Sequence, residues 1–297
     1  MEPYEPEGSW YKQLILLKGD LPALKTAVVH PVDTLSLLGA VEAAEANLII
    51  PTLVGPKSRI MAAAKEGKLD IAAYKIIDTH YSQESAQKAV ALAKEGTVEA
   101  LMKGALHTDE LMEAVLDKTA GIRTNRRLSH IFSLHCHHYP KPLFVTDAAI
   151  NINPTLEEKK DIVQNAIDLF VGLGFGVPKV AIVSAVETVT EKIPSTLDAA
   201  ALCKMSERGQ IHGGIIDGPL GFDLAISAES AKVKGVISDV AGDADIIVVP
   251  DLESGNMLYK QMTFLSETEA AAIVLGASVP IILTSRGSDE LSRKASC

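Results

Sequence analysis

Thr26-Ala27-Val28-Val29 and Asn47-Leu48-Ile49-Ile50-Pro51-Thr52-Leu53-Val54 enclose an Ala- and Leu-rich stretch, 34–46, whose apolar residues recur at helical spacing. A β-branched run, a helical stretch and a second β-branched run make a β-α-β unit. Repeating that unit gives a mainly parallel sheet flanked by helices. The pattern continues. Gly55-Pro56 opens the next helix, where a proline in the first turn loses no needed donor. A helix over 85–96, ended by Gly96, leads to the strand Ala100-Leu101-Met102-Lys103-Gly104, and helical spacing returns over 108–116.

The texture changes at Tyr139-Pro140-Lys141-Pro142, a Pro-containing link that marks a domain boundary before the strand Leu143-Phe144-Val145-Thr146. Thr155 caps a helix that carries Glu157 and Glu158 in its first turn and stops at Gly172. Gly172-Leu173-Gly174-Phe175-Gly176 has the spacing of a dinucleotide loop, but it follows a helix and precedes a strand, so it reads as a helix stop. Val180-Ala181-Ile182-Val183-Ser184, Ile215-Ile216-Asp217-Gly218 and Ile246-Ile247-Val248-Val249-Pro250 are further strands ending in polar or turn residues. The stretch 270–283, interrupted by Gly276, Ser278 and Pro280, reads as a helix end followed by the buried strand Val279-Pro280-Ile281-Ile282-Leu283. It is shorter than the ~20 apolar residues that span a bilayer. The fold class is α/β, with two domains and mainly parallel sheets.

A chain of 297 residues with 47% hydrophobic content supports a large core, and 38 acidic against 28 basic residues give a formal charge of −10. That balance argues against nucleic acid and anionic membranes as partners and leaves small ligands. Cys136, Cys203 and Cys297 stand far apart with no metal or redox spacing. The acidic, Pro-containing start predicts no export, so a cytoplasmic location is expected.

Ligands of open α/β sheets bind at the carboxyl ends of strands. Thr284-Ser285-Arg286-Gly287-Ser288-Asp289 follows such a strand. Arg286 offers a permanent cation, Ser285 a donor and Asp289 a proton acceptor, although a solvated polar turn explains the same residues. Lys103 is another strand-end cation. Arg123, Arg126 and Arg127 form a basic cluster, either an exposed loop or a phosphate site. His130 in Ser129-His130 is a general base, a ligand donor or a packed histidine. Gly255-Asn256 opens a helix that can present backbone donors to an anion, with Lys260 one turn on. In His135-Cys136-His137-His138, read as a strand, the first and third side chains share a face without a carboxylate to complete a metal site. Ser184 lacks a nucleophile elbow.

Met102-Lys103-Gly104-Ala105-Leu106-His107-Thr108, Arg127-Leu128-Ser129-His130, Thr146-Asp147-Ala148-Ala149-Ile150-Asn151, Asp217-Gly218-Pro219-Leu220 with Asp223, Ser238-Asp239-Val240-Ala241-Gly242-Asp243-Ala244-Asp245, Pro250-Asp251-Leu252-Glu253-Ser254-Gly255-Asn256 and Thr284-Ser285-Arg286 occur in this order. Together they resemble the phosphate acetyltransferase and phosphate butyryltransferase family across nearly the whole chain beyond its N-terminal segment. The resemblance implies two α/β domains of the isocitrate/isopropylmalate dehydrogenase type, 1–140 with 285–297 and 141–284, with the active site in the cleft between them. It also implies a homodimer or higher homo-oligomer formed through the second domain, no metal and no cofactor. The partners it implies are acyl-CoA or CoA, inorganic phosphate and acyl phosphate.

The implied reaction is reversible transfer of an acetyl or butyryl group between CoA and phosphate. Arg286 then stabilises the oxyanion, Ser285 bonds the thiol sulfur and Asp289 is the base. Lys103, Arg123, Arg127, Ser129, His130, Asn151, Gly255, Asn256 and Lys260 are expected around the ligands. Two departures stand out. The arginine expected about two turns after His107-Thr108 is Ala114, which leaves CoA phosphates to Arg123, Arg126 and Arg127. Family members also continue as a helix beyond the position of Ser296-Cys297. The competing readings are an NAD(P)-dependent hydroxyacid dehydrogenase, with Asp239, Asp243 and Asp245 as a metal cluster, and a non-catalytic CoA or acyl-phosphate binding module.

Overall fold

A computed structural model describes residues 9–283 and 290–297. The elements run α1 (Trp10–Leu16), β1 (Leu24–Val29), α2 (Thr34–Glu45), β2 (Ile49–Val54), α3 (Lys57–Gly67), β3 (Lys75–Ile77), α4 (Ser82–Lys94), β4 (Ala100–Lys103) and α5 (Thr108–Leu116). There follow β5 (Ser129–His135), β6 (Leu143–Thr146), α6 (Leu156–Gly172), β7 (Lys179–Val183), α7 (Pro194–Glu207), β8 (Ile215–Leu220), α8 (Phe222–Ile226) and α9 (Ala228–Val233). The last are β9 (Ile246–Val248), α10 (Leu252–Leu265), β10 (Glu269–Leu275), β11 (Ile281–Ile282) and α11 (Glu290–Ser296).

The chain divides into two compact units, a terminal one (Gly8–Arg126 with Ala271–Cys297) and a central one built on Arg127–Ala270. Their junctions lie upstream of the sequence-based positions at 140/141 and 284/285. In the terminal unit the strand order is β3-β2-β1-β4-β11-β10, parallel except for β10 against β11. Val28, Leu37, Leu53, Ile60 and Met102 form its core, each no more than 1% exposed. The buried apolar run Ala27-Val28-Val29 of β1 is what a parallel strand covered on both faces requires. Asp33 caps α2 by accepting from the Ser36 N–H at 2.8 Å.

In the central unit the order is β5-β6-β9-β7-β8, parallel except for β5 against β6. Phe144, Val145, Val180, Ile246 and Ile247 are fully buried, with Ile162 and Ile167 of α6 packed into the same core. The rings of Phe144, Phe170 and Phe175 meet at 5.2–6.1 Å. Thr155 and Glu158 close the capping box that starts α6, and Gly174 and Gly176 take positive φ between α6 and β7, confirming a helix stop there.

Three local expectations are corrected. Residues 270–275 are strand rather than helix end, because β10 finds its antiparallel partner in β11, and pairing overrides alanine's helical preference. Helix α10 begins at Leu252, capped by Asp251, so Gly255 and Asn256 lie inside it rather than at its start. Strand β5 ends at His135, leaving His137 in a turn. Ser285, Arg286 and Asp289 lie outside the described residues.

Candidate active site

Strand β6 delivers the chain into a turn organised by one buried carboxylate. Asp147 Oδ1 accepts from the N–H groups of Ala149 (2.9 Å) and Ile150 (3.0 Å). Its Oδ2 accepts from Asn151 N (3.3 Å) and Asn151 Nδ2 (2.5 Å). An aspartate bonding the backbone two and three residues on is the ordinary way such turns close. Asn151 Nδ2 also donates to the Leu128 carbonyl at 2.7 Å, and its Oδ1 receives Arg127 Nε at 2.6 Å. Arg127 Nη1 meets Glu158 Oε1 at 3.0 Å. The Thr155 N–H and then the Arg127 guanidinium hold the Glu158 carboxyl below its usual range. Arg127 is thus held at two of its three nitrogens, Nε and Nη1, and Nη2 between them has no partner among the described residues. A planar guanidinium held this way has Nη2 left to donate to an anion.

Ser129 and His130 begin β5 directly after this arginine. Ser129 is fully buried and its Oγ accepts from Asn165 Nδ2 at 2.9 Å. The same amide donates to the Arg127 carbonyl, also at 2.9 Å. His130 is buried with its ring centre 4.3 Å from that of Phe132, which stacks on Tyr259 of α10 with ring centres 3.7 Å apart. Burial pushes the imidazole down to about 4, against the opposing pull of Asp147. It is therefore neutral at pH 7, and its Nδ1 has no partner among the described residues.

Helix α10 closes on the same turn. Asn256 Nδ2 donates to the Ala148 carbonyl at 3.2 Å. A Cβ on Gly255 would lie 2.8 Å from Val249 Cγ2 and 3.0 Å from Ala148 Cα, so glycine is what lets the helix approach. Lys260 lies on an exposed part of the helix, one turn beyond Asn256. The structure thus gathers Arg127, Ser129, Asn151, Gly255 and Asn256 around one turn, with His130 beneath. It also gives Asp147, Glu158 and Asn165 positioning roles that the sequence reading did not single out. The aspartate that opens Asp147-Ala148-Ala149 was the available signal for the first of these.

At the carboxyl ends of β7 and β9 the central unit holds a cavity of about 580 Å³, lined among others by Lys159, Ser184, Ser195, Asp198 and Asp251. Its polar groups satisfy one another: Lys159 Nζ meets Asp198 at 2.7 Å, and the hydroxyls of Ser184 and Ser195 lie 2.8 Å apart. Asp243 and Asp245 sit at the other edge of this sheet, where strands begin, in ion pairs of 2.7–2.8 Å with Lys141 and of 2.7 Å between Asp243 and Lys179. No group of three or more His, Cys, Asp or Glu able to hold a metal occurs among the described residues.

In the terminal unit Lys103 ends β4, with Nζ 3.4 Å from the Gly104 carbonyl. Gly104 must be glycine, since a Cβ there would lie 2.4 Å from the Val29 carbonyl oxygen. Beside it, His30 ends β1 at φ 57°, with Nδ1 3.0 Å from Ser85 Oγ, which in turn lies 2.8 Å from Thr79 Oγ1. Burial and then Arg59 lower its pKa. Arg123 lies elsewhere in the unit, in a shallow groove with Lys94, Glu99 and Ser278 near where β4 and β11 begin. The structure therefore does not join Arg123 to Lys103.

Comparison with known proteins fits this arrangement. The family model described as "Phosphate acetyl/butaryl transferase" matches residues 81–292. A phosphate acetyltransferase of Rhizobium meliloti is 56% identical over 296 residues, 99% of this chain and 93% of that protein. A phosphate butyryltransferase of Clostridium acetobutylicum is 39% identical over 273 residues, 92% of this chain and 91% of that one. The crystal structure of a branched-chain phosphotransacylase from Enterococcus faecalis superposes with a TM-score of 0.78 at 28% identity, covering 92% of this chain and 96% of that one. With the family model spanning most of the chain and relatives this similar along nearly its full length, the chain belongs to the phosphate acetyl/butyryl transferase family of acyltransferases, which move a short acyl group reversibly between coenzyme A and phosphate.

Proposed function

We propose that the phosphoryl group of the substrate is held by Nη2 of Arg127, and that the chemistry is carried by Ser285, Arg286 and Asp289. In the direction of thioester synthesis, Asp289 takes the thiol proton and the sulfur attacks the acyl-phosphate carbonyl. The C–S bond forms, the C–O bond to phosphate breaks, and phosphate leaves. Arg286 faces the developing oxyanion, and Ser285 donates to the sulfur until it is consumed. The observation that carries this reading is the clamp of Asn151 and Glu158 on Arg127, which fixes a permanent cation just ahead of β5 without exhausting its donors. Lys103, Arg123, His130, Gly255, Asn256 and Lys260 complete the proposed ligand surroundings. The two α/β domains act as one enzyme, without metal or cofactor, in the cytoplasm and as a homodimer formed through the central unit. Exposed Met257, Phe264 and Leu265 on α10 support that last point.

The test is phosphate-dependent release of free thiol from acetyl-CoA and butyryl-CoA in the presence of a chelator, with acyl phosphate trapped as its hydroxamate. Release with hydroxamate is expected and ranks the two chain lengths. Arg286→Ala is expected to lose at least about 100-fold in kcat, the scale of one oxyanion donor. Near-normal turnover in that variant removes the role assigned to Arg286.

A further inference from the structure

His30 of the terminal unit has one ring nitrogen committed and the other open. It follows Val29 at the carboxyl end of β1, the edge at which parallel α/β sheets receive ligands. Its φ of 57° is left-handed, a conformation that glycine or asparagine takes more readily. Among the described residues the other non-glycine positions with positive φ are Asn47, Lys68 and Glu267, each exposed in a turn after a helix. His30 is instead 5% exposed and pinned on both sides. Its N–H donates to the Val54 carbonyl at 2.7 Å, and its own carbonyl accepts from the Ala105 N–H at 2.9 Å. Strained backbone held this firmly collects at functional sites.

The hydrogen-bond pattern assigns a tautomer to the ring. Ser85 Oγ gives its hydrogen to the Tyr81 carbonyl at 2.9 Å, so towards His30 Nδ1, 3.0 Å away, it can only accept. Thr79 Oγ1 donates to the same fully buried oxygen at 2.8 Å. The ring proton therefore sits on Nδ1 and the lone pair on Nε2. Nε2 has no partner among the described residues, yet it is not closed off, since the buried polar side-chain atoms without a partner there are Ser9 Oγ and His130 Nδ1. Burial, then Arg59, holds the pKa below 6.5, so the imidazole is neutral at pH 7.

Lys103 ends the neighbouring strand on the same face. Val28, Leu53, Met102 and Ile282 share the core covered by α2 and α3. Alternation turns Val29 and its register partner Lys103 to the opposite face, where α4 brings Ser85 to His30. A lone pair repels an ionised oxygen and accepts from N–H, O–H or S–H. Glu110 and Asp33, whose charges reach the ring, are equally adverse to an anion at Nε2. Among the partners of this family's reaction, fully ionised phosphate groups have no proton to offer, whereas the pantetheine arm of coenzyme A carries amides, a hydroxyl and the thiol.

We propose that His30 contacts coenzyme A, with Nε2 accepting a hydrogen bond from the pantetheine arm, and that Ser85 is the positioning residue that sets the tautomer. This rests on membership of the acyltransferase family and not on the roles given to Ser285, Arg286 and Asp289.

The experiment uses two variants that separate the ring's nitrogens. His30→Asn keeps a donor near Nδ1 for Ser85, tolerates positive φ and removes Nε2. His30→Gln sets an amide oxygen near Nε2 and gives up the bond to Ser85. His30→Asn is expected to melt within about 4 °C of the parent, with KM for acetyl-CoA up about ten-fold and KM for phosphate within about two-fold. His30→Gln is expected to lose more stability but to keep KM for acetyl-CoA within about three-fold. Calorimetric titration with CoA should give the same ranking without turnover. Nitrogen NMR of the parent's histidine rings, assigned with either variant, should show Nε2 of His30 unprotonated and shifting on addition of CoA but not of phosphate. Parental acetyl-CoA KM in a folded His30→Asn, a rise confined to phosphate KM, or an Nε2 signal that is protonated or indifferent to CoA overturns the proposal. Arg286→Ala reports separately: if it keeps turnover while His30→Asn loses CoA affinity, the reading of the reacting groups fails and this contact stands.

Discussion

Asp147→Asn isolates the group on which the Arg127 site rests. In the parent, Oδ1 serves two backbone N–H groups and Oδ2 serves the backbone and side-chain amides of Asn151. An asparagine can keep the first pair through its oxygen, but its NH₂ then faces two donors. The variant loses both bonds to Asn151 and sets the new NH₂ against buried donors, together about 2–4 kcal/mol. For a unit of this size that corresponds to a fall of roughly 5–15 °C in melting temperature. Asn151, released from Asp147, no longer holds Arg127 Nε, so KM for phosphate should rise about ten-fold, while kcat at saturation falls less. Urea unfolding gives the first quantity and a phosphate titration at saturating acetyl-CoA gives the second. A loss below about 0.5 kcal/mol with unchanged phosphate KM would show that the carboxylate does not organise the turn.

Two further predictions concern pH and assembly. The folded pKa of His130, about 4, lies below its ordinary 6.5, so the unfolded chain binds the extra proton first. Stability from this group is full above pH 6.5 and is lost as pH falls towards 4, in all about 3 kcal/mol. His130→Gln should flatten that acid limb in unfolding curves, and an unaltered limb would assign it to another group. Phe264 and Leu265 expose 82% and 79% of their surface on α10. Phe264→Asp should halve the mass seen by light scattering if α10 joins two copies, and an unchanged oligomer would place the interface elsewhere.

Much of the architecture was legible because its strands are covered on both faces, so Val28-Val29, Phe144-Val145 and Ile246-Ile247 appear as uninterrupted apolar runs. The start of α6 was equally plain, since Thr155 and Glu158 form the capping box within four residues of sequence. What escaped depended on partners remote in sequence. Residues 270–275 look helical until β11 pairs with them. Gly255 looks like a helix start until Asp251 is seen capping Ser254 and Ala148 is seen where its side chain would be. At the site, Arg127 and Asn151 could be picked out as polar residues in motifs. That Asp147 ties them together depends on the antiparallel pairing of β5 and β6, which sets the Leu128 carbonyl beside Asn151.

An enzyme with a formal charge of −10 that handles phosphates cannot rely on its overall field to gather them. Binding must come from donors fixed at short range, and such donors need rigid support because each is already partly neutralised. Glu158 removes some of the attraction Arg127 could exert, but together with Asn151 it removes most of the rotational freedom a long side chain would otherwise lose on binding. Buried and half-buried polar residues thereby serve a single guanidinium, an arrangement that apolar packing would match or exceed in stability alone. The variant that discriminates stability from binding is therefore one that keeps the fold stable while releasing the direction of the Arg127 side chain.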